Sequence, residues 1–226
     1  MKNLTIAIDG PAASGKSTTA KLLARKLGLV PIDTGAMYRA VTLKVLRLGI
    51  DPEEEKSVVE IARNSNIWQE CRNGKLITYL DGEDVSEAIR SPEVSEYVSI
   101  VARYPGVRKV LVELQRKLAR RGGVVVEGRD IGTYVLPDAD LKVFMKASIE
   151  ERVRRRVKEM QEKGVKVSPE EVRKELEMRD EIDSKRAFAP LKPAGDAFIL
   201  DTTDLTIEEQ VEKIIEKIQE KFGDDP

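Results

Sequence analysis

The stretch that decides the fold is "LTIAIDGPAASGKSTTAKLLARKLG", Leu4 to Gly28. A short aliphatic run ends in a glycine-bounded loop, and the loop leads directly into an amphipathic helical pattern closed by Gly28. Within it, "GPAASGKS" (Gly10 to Ser17) has the spacing G-x-x-x-x-G-K-[ST], in the strand-to-helix context the motif requires. Such a loop wraps its backbone around a phosphate chain, so that amides from about Ala13 to Thr18 converge on the oxygens. Lys16 then reaches the terminal phosphates, and the Ser17 hydroxyl helps to hold Mg2+. The expected nucleotide contacts are therefore Gly10, Pro11, Ala12, Ala13, Ser14, Gly15, Lys16, Ser17 and Thr18.

Working outward, four further runs read as buried strands: Leu29 to Asp33, Val124 to Glu127, Leu141 to Met145 and Ala197 to Asp201. Helical patterns lie between most of them. The fold expected is α/β, with a parallel sheet of about five strands and helices on both faces. Ligands of such sheets bind beyond the carboxyl ends of the strands, and the polar clusters of this chain begin where strands stop. "VVVEGRDIGT" (Val124 to Thr133) is one: three valines run into Glu127, Arg129 and Asp130.

Two segments fit poorly as plain crossovers. An inserted region of about 36–100 contains a hairpin at about 66–84, with Asn73-Gly74 as its turn. A charged helical hairpin over about 151–186 has Ser168 as N-cap, Pro169 at the first helical position and Glu171 completing a capping box. This second segment is a candidate mobile lid. The closing "GDDP", residues 223–226, reads as a frayed end.

Composition narrows the chemistry. The 226 residues include 41% apolar and 35% charged side chains, with a formal net charge of -1, which disfavours a general nucleic-acid grip. No apolar run reaches membrane-spanning length and the first residues enter a strand directly, so neither a transmembrane helix nor a signal peptide is expected. The single cysteine, Cys71, rules out a disulfide framework and suits a reducing cytosol. There is no histidine, which removes Ser-His-Asp and Cys-His catalysis and nearly every zinc site. No N-K-x-D guanine motif is present. A small chain with two insertions over a phosphate loop points to transfer between two small molecules.

In "DTGAMYRA", Asp33 or Thr34 is placed to cap the next helix, whose inner face should carry Met37, Val41, Val45 and Leu48. Tyr38 and Arg39 are then directed elsewhere, and an arginine there can fork onto an anion. Arg179, Asp183 and Arg186 share one helical face. Glu151/Arg155 and Arg155/Glu159 read as a solvated ion-pair ladder, while Arg152 and Arg156 stand evenly between phosphate contact and pairing with glutamates.

Together, "IDGPAASGKST", "DTGAMYR", "EGRDIGT", "RDEIDSKRAFAPL" and "DAFILDTTDLTIEEQV" resemble the bacterial cytidylate kinase family over essentially the whole chain. The resemblance implies a P-loop NTPase-type fold with an enlarged nucleoside-monophosphate-binding insert and a lid. It implies phosphoryl transfer from ATP to CMP or dCMP with Mg2+, in a cytoplasmic monomer. Carried over by motif, Arg39, Arg129 and Arg186 would hold the acceptor phosphate, with Lys16, Arg129 and Arg186 as the catalytic set. Tyr38, Arg179 and Asp183 would hold the sugar and its surroundings. Ser99, Arg108 and Asp130 would recognise cytosine, and Thr34 would stand at the acceptor entrance. Glu127 is open between organising Mg2+ through water and balancing the arginines. Two other readings stay open: another small-molecule kinase, and a non-catalytic nucleotide-binding regulator.

Overall fold

The aliphatic run after Leu4 forms strand β1 (Thr5–Asp9) in the computed structural model, which describes residues 3–162 and 164–223. The last three residues of "GDDP" lie outside the described residues. After β1 come α1 (Lys16–Leu27), β2 (Val30–Asp33), α2 (Thr34–Arg47) and α3 (Glu55–Arg63). The strands β3 (Ile67–Arg72), β4 (Lys75–Leu80) and β5 (Glu83–Asp84) follow, then a 3-10 turn at Ala88–Arg90. The helices α4 (Pro92–Arg103) and α5 (Pro105–Ala119) lead to β6 (Val124–Gly128) and a π-helical turn at Ile131–Val135. The chain closes with β7 (Leu141–Lys146), α6 (Ile149–Glu162), α7 (Pro169–Lys185), β8 (Phe198–Asp201) and α8 (Ile207–Phe222).

Five strands form one parallel sheet in the order β2-β6-β1-β7-β8, with β1 at its centre. The period-two alternation of strands divides the core into two layers. Ile6, Ile8, Val125, Val143 and Met145 face α1 and α8, meeting Leu23, Val211, Ile214 and Ile218. Ala7, Ile32, Val124 and Val126 face the other way, onto Met37, Val41, Val107 and Leu111 of α2 and α5. Both sheet faces are therefore covered, which explains why the strands read as continuous apolar runs.

The insertion between β2 and β6 carries a three-stranded antiparallel sheet, β3-β4-β5. Asn73 and Gly74, at φ 53 and 75, make the tight turn between β3 and β4. Trp68 and Tyr79, opposite each other in the register, stack at 3.9 Å with ring planes 7° apart. On the other side of the molecule, α6 and α7 bury Val153, Met160, Val172 and Leu176 against Ala12 of the phosphate loop. The Ser168–Glu171 capping box closes the start of α7 in both directions.

One expected core position lies elsewhere. Met37, Val41 and Val45 are fully buried, but Leu48 is 58% exposed. The helix stops at Arg47, and Gly49 turns the backbone at φ 67, so the helical period no longer governs Leu48. Among the described residues no helix is long and apolar enough to cross a membrane.

Gly10 is the residue on which the sheet and the loop meet. A Cβ there would lie 2.1 Å from the Met145 carbonyl oxygen, on a backbone at φ 152. We expect Gly10→Ala to lower unfolding stability by about 2–4 kcal/mol, visible as a reduced urea midpoint.

Candidate active site

A cleft of about 1070 Å³ opens beyond the carboxyl ends of β1, β2 and β6. The phosphate loop forms one wall, and α2, α4, α5, α6, α7, the end of β6 and the start of α8 all contribute to the rest. Ala12, Ala13, Gly15, Lys16, Ser17 and Thr18 line it, while Gly10, Pro11 and Ser14 sit behind and hold the loop. Lys16 is buried, its Nζ donating to the Pro11 carbonyl at 2.6 Å and to Ser14 Oγ at 3.4 Å. Burial, and then the neighbouring Arg129, draw its pKa down to about 7. Ser17 Oγ donates to Glu127 Oε1 at 2.5 Å, joining the loop to β6. Glu127 is pushed up to about 7, first by burial and then by the Asp33 carboxylate.

The residues expected on the acceptor side converge on the same cleft. Asp33 is the cap of α2, accepting from the Ala36 amide at 2.8 Å, while the Thr34 hydroxyl donates to the Glu127 carbonyl at 2.8 Å. Arg39 donates to Ser95 Oγ at 2.9 Å and to the Ile89 carbonyl at 3.3 Å. Burial, followed by Arg179 and Arg156, lowers its pKa to about 9. Tyr38 lies under the Arg108 guanidinium, 5.4 Å from ring centroid to Cζ, and its buried hydroxyl has no hydrogen-bond partner among the described residues. Ser99 is buried on α4 and lines the cleft with Arg108.

Arginines and carboxylates alternate through the centre of the site. Asp130 takes Arg108 at 2.5 Å on one oxygen and Arg186 at 3.3 Å on the other. Asp183 takes Arg129 at 2.9 Å, with Arg186 3.6 Å away. Arg186 also donates to the Ala189 carbonyl at 2.8 Å, which fastens the end of α7 to the following loop. Arg179 has Glu175 at 3.6 Å, and its Nε is buried with no partner among the described residues.

The two α6 arginines divide. Arg152 does not line the cleft; it donates to the Ala12 carbonyl at 3.3 Å and pairs with Asp180 at 2.7 Å. Arg156 does line the cleft, with Glu159 at 3.0 Å and Glu175 at 3.8 Å. Glu151 takes Arg155 at 2.8 Å, as the ladder reading expects, but Arg155 turns its remaining nitrogens to Thr202. Thr202 in turn donates to the Ser14 carbonyl at 3.0 Å. This brace, like the contacts of Asp9 and Gln210, joins residues that no sequence motif pairs. Asp9 accepts from the Ile131 and Gly132 amides at 2.7 and 2.8 Å; Gln210 accepts from Thr19 at 2.7 Å. An acidic residue ending the strand before the loop was the available signal for Asp9; nothing local marks Gln210.

Burial raises Asp9 to about 6 as well. Glu127 and Asp9 hold protons more tightly folded than unfolded, so each contributes stability at low pH that is lost as pH rises through about 7 and about 6. Without nucleotide, stability should therefore fall between about pH 4 and about pH 7. Glu127→Gln should flatten part of that slope in urea titrations; an unchanged slope would contradict the assignment.

Sequence comparison places this geometry among known proteins. The profile of the family described as cytidylate kinase matches residues 6–220. A cytidylate kinase of Desulfitobacterium hafniense is 56% identical, with 97% of this chain and 94% of that protein covered. One from Caldanaerobacter subterraneus subsp. tengcongensis is 55% identical, covering 97% of each. One from Bacillus cereus is 51% identical, covering 98% of this chain and 99% of its own. A solved structure of an uncharacterized protein from Eubacterium ventriosum, at 13% identity, covers 96% of this chain and 98% of that one with a TM-score of 0.52, a likeness of fold alone. With residues 6–220 matched by the profile and nearly the full length by these relatives, the chain belongs to the cytidylate kinase family.

Proposed function

We propose that the chain transfers the γ-phosphoryl group of ATP to CMP or dCMP, giving CDP or dCDP and ADP. The observation that carries this reading is the state of the carboxylates in the cleft. Asp130 and Asp183 are paired with arginines, Glu127 with Ser17, and Asp33 caps α2. The chain has no histidine. A hydroxyl acceptor would need a base to take its proton, but Asp130 and Asp183 are held by arginines, Asp33 by the Ala36 amide, and Glu127 faces Ser17 of the phosphate loop. A phosphomonoester has a second pKa of about 6, so its oxygen is largely ionised at neutral pH and attacks unaided.

The remaining task is positioning and charge neutralisation. Lys16 and the loop amides hold the donor phosphates, with Lys16, Arg129 and Arg186 nearest the transfer. Arg39, Arg129 and Arg186 hold the acceptor phosphate; Tyr38, Arg179 and Asp183 hold the sugar and its surroundings; Thr34 stands at the entrance. Ser99, Arg108 and Asp130 read the base. Each Asp130 oxygen accepts one arginine and keeps a further lone pair. A carboxylate there accepts from the 4-amino group of cytosine and repels the carbonyl of uracil. We take the region of about 36–100 as the acceptor-binding insert and about 151–186 as a lid that closes to exclude water.

Mg2+ fits the residues present. No group of three His, Cys, Asp or Glu side chains among the described residues forms a cage of its own. Glu127, raised by burial and by the Asp33 carboxylate despite Lys16 and Arg129 nearby, accepts from the Ser17 hydroxyl. That suits an ion arriving on nucleotide phosphates and keeping most of its water. Ser17, with Glu127 and Asp33 through water, would hold it, and when bound it neutralises charge on the transferring phosphoryl oxygens. We further place the protein in the cytosol as a monomer without nucleic-acid or membrane partners.

The direct test measures ADP release from ATP and Mg2+ with CMP, dCMP, UMP or AMP. We expect CMP and dCMP to be the best acceptors; stimulation mainly by UMP or AMP would overturn the reading. Lys16→Ala should cost about 100- to 1000-fold in kcat while the circular dichroism stays native. Asp130→Asn should reduce the CMP/UMP preference roughly ten- to a hundredfold in kcat/KM. Asparagine is chosen because it keeps one oxygen acceptor for the arginines and a similar volume, where alanine would leave Arg108 and Arg186 with neither.

A further inference from the structure

Strand β2 is an edge strand of the parallel sheet, paired only with β6. Its last residue, Asp33, carries the cap of α2, and α2 carries Tyr38 and Arg39. On the unpaired flank of Asp33 the neighbour is not a strand but one side chain from the inserted sheet. Gln69 Oε1 accepts from the Asp33 amide at 3.1 Å, and Gln69 Nε2 donates to the Asp33 carbonyl at 2.8 Å. The carboxamide thus completes both open main-chain groups of Asp33, as a neighbouring strand would.

The two Asp33 groups fix the orientation of that carboxamide, since one can only donate and the other only accept. Its second N–H donates to Thr78 Oγ1 at 3.2 Å, directly across the β3–β4 register. Turned over, the amide would set N–H against N–H and oxygen against oxygen at Asp33. One residue away, the Trp68–Tyr79 stack stiffens the adjacent rung of the hairpin. From Asp33 the connections run on into the cleft: Thr34 to the Glu127 carbonyl, and the Glu127 carboxylate to Ser17 of the phosphate loop.

We propose that Gln69 is a positioning residue for the acceptor site, through which the inserted β3–β5 sheet fixes the end of β2 and hence the start of α2. The inference rests on the acceptor-phosphate reading of the cleft. It assigns the insert a part in catalysis besides covering the site: a two-point clamp on the backbone from which Thr34, Tyr38 and Arg39 are placed. Gln69 itself does not line the cleft, so its effect is transmitted through Asp33.

Two variants separate positioning from general stability. Gln69→Leu removes both bonds at a half-buried position on a β-strand, and Gln69→Glu keeps an acceptor for the Asp33 amide but turns the other oxygen against the Asp33 carbonyl. In steady-state kinetics we expect both to raise KM for CMP by about five- to twentyfold while KM for ATP stays within about twofold. Loss of active enzyme through instability would lower kcat and leave both KM values alone; that result, or equal rises for both substrates, overturns the proposal. Hydrogen–deuterium exchange gives a readout without turnover. The amides at 33–37 should exchange faster in Gln69→Leu than in the wild type, with β1 and β7 unchanged; unaltered exchange at 33–37 overturns the clamp. Absence of CMP-dependent turnover in the wild type would instead strike the acceptor reading, leaving exchange to judge the clamp.

Discussion

A buried carboxylate holds the two halves of the site together. Asp9 ends the central strand one residue before the phosphate loop, and accepts the amides of Ile131 and Gly132 in the turn after β6. Arg129 and Asp130 lie immediately before those amides, so the phosphate loop and these two charges share one anchor. Burial raises the proton affinity of Asp9, and the two N–H donors oppose that shift. Unpaired, such a group would cost several kcal/mol. Two amides directed at one carboxylate therefore define where the turn must sit.

Around this anchor the cleft is built from alternating guanidinium and carboxylate groups. Arg108, Asp130, Arg186, Asp183 and Arg129 form a continuous run of opposite charges, largely removed from water. A chain at nearly zero net charge can still present a cationic cleft this way, because Arg39, Arg129, Arg156 and Arg179 crowd one another on its wall. That crowding lowers the proton affinity of Arg39 and Arg179 after burial has already done so. On the proposed reading, an incoming phosphate would supply the missing negative charge. Affinity for an anionic substrate and reduced stability without it are two sides of one arrangement.

Much of this was legible in the sequence where chemistry is local. The phosphate loop, the Asn73-Gly74 turn and the Ser168–Glu171 box are set by backbone geometry over four to eight residues. Helical spacing correctly put Met37, Val41 and Val45 inside, and failed at Leu48 because the helix ended one residue earlier. Glu151 and Arg155 pair as the i, i+4 rule expects, yet Arg155 spends its other nitrogens on Thr202, a residue 47 positions away. Arg152 and Arg156 look equivalent in "ERVRRRV". One turn of helix directs Arg152 to Ala12 and Asp180 and leaves Arg156 on the cleft.

The sequence by itself determined the order of strands and helices, the phosphate-binding turn and the inventory of charges, because each depends on short-range periodicity or on residue type. Only the tertiary structure decided which charges meet. Asp9 reaches across 122 residues to Ile131, Ser17 across 110 to Glu127, and Gln69 across 36 to Asp33. No spacing rule joins such pairs. They are selected because a buried polar group must find a partner, and the parallel order β2-β6-β1-β7-β8 brings those strand ends to one crevice.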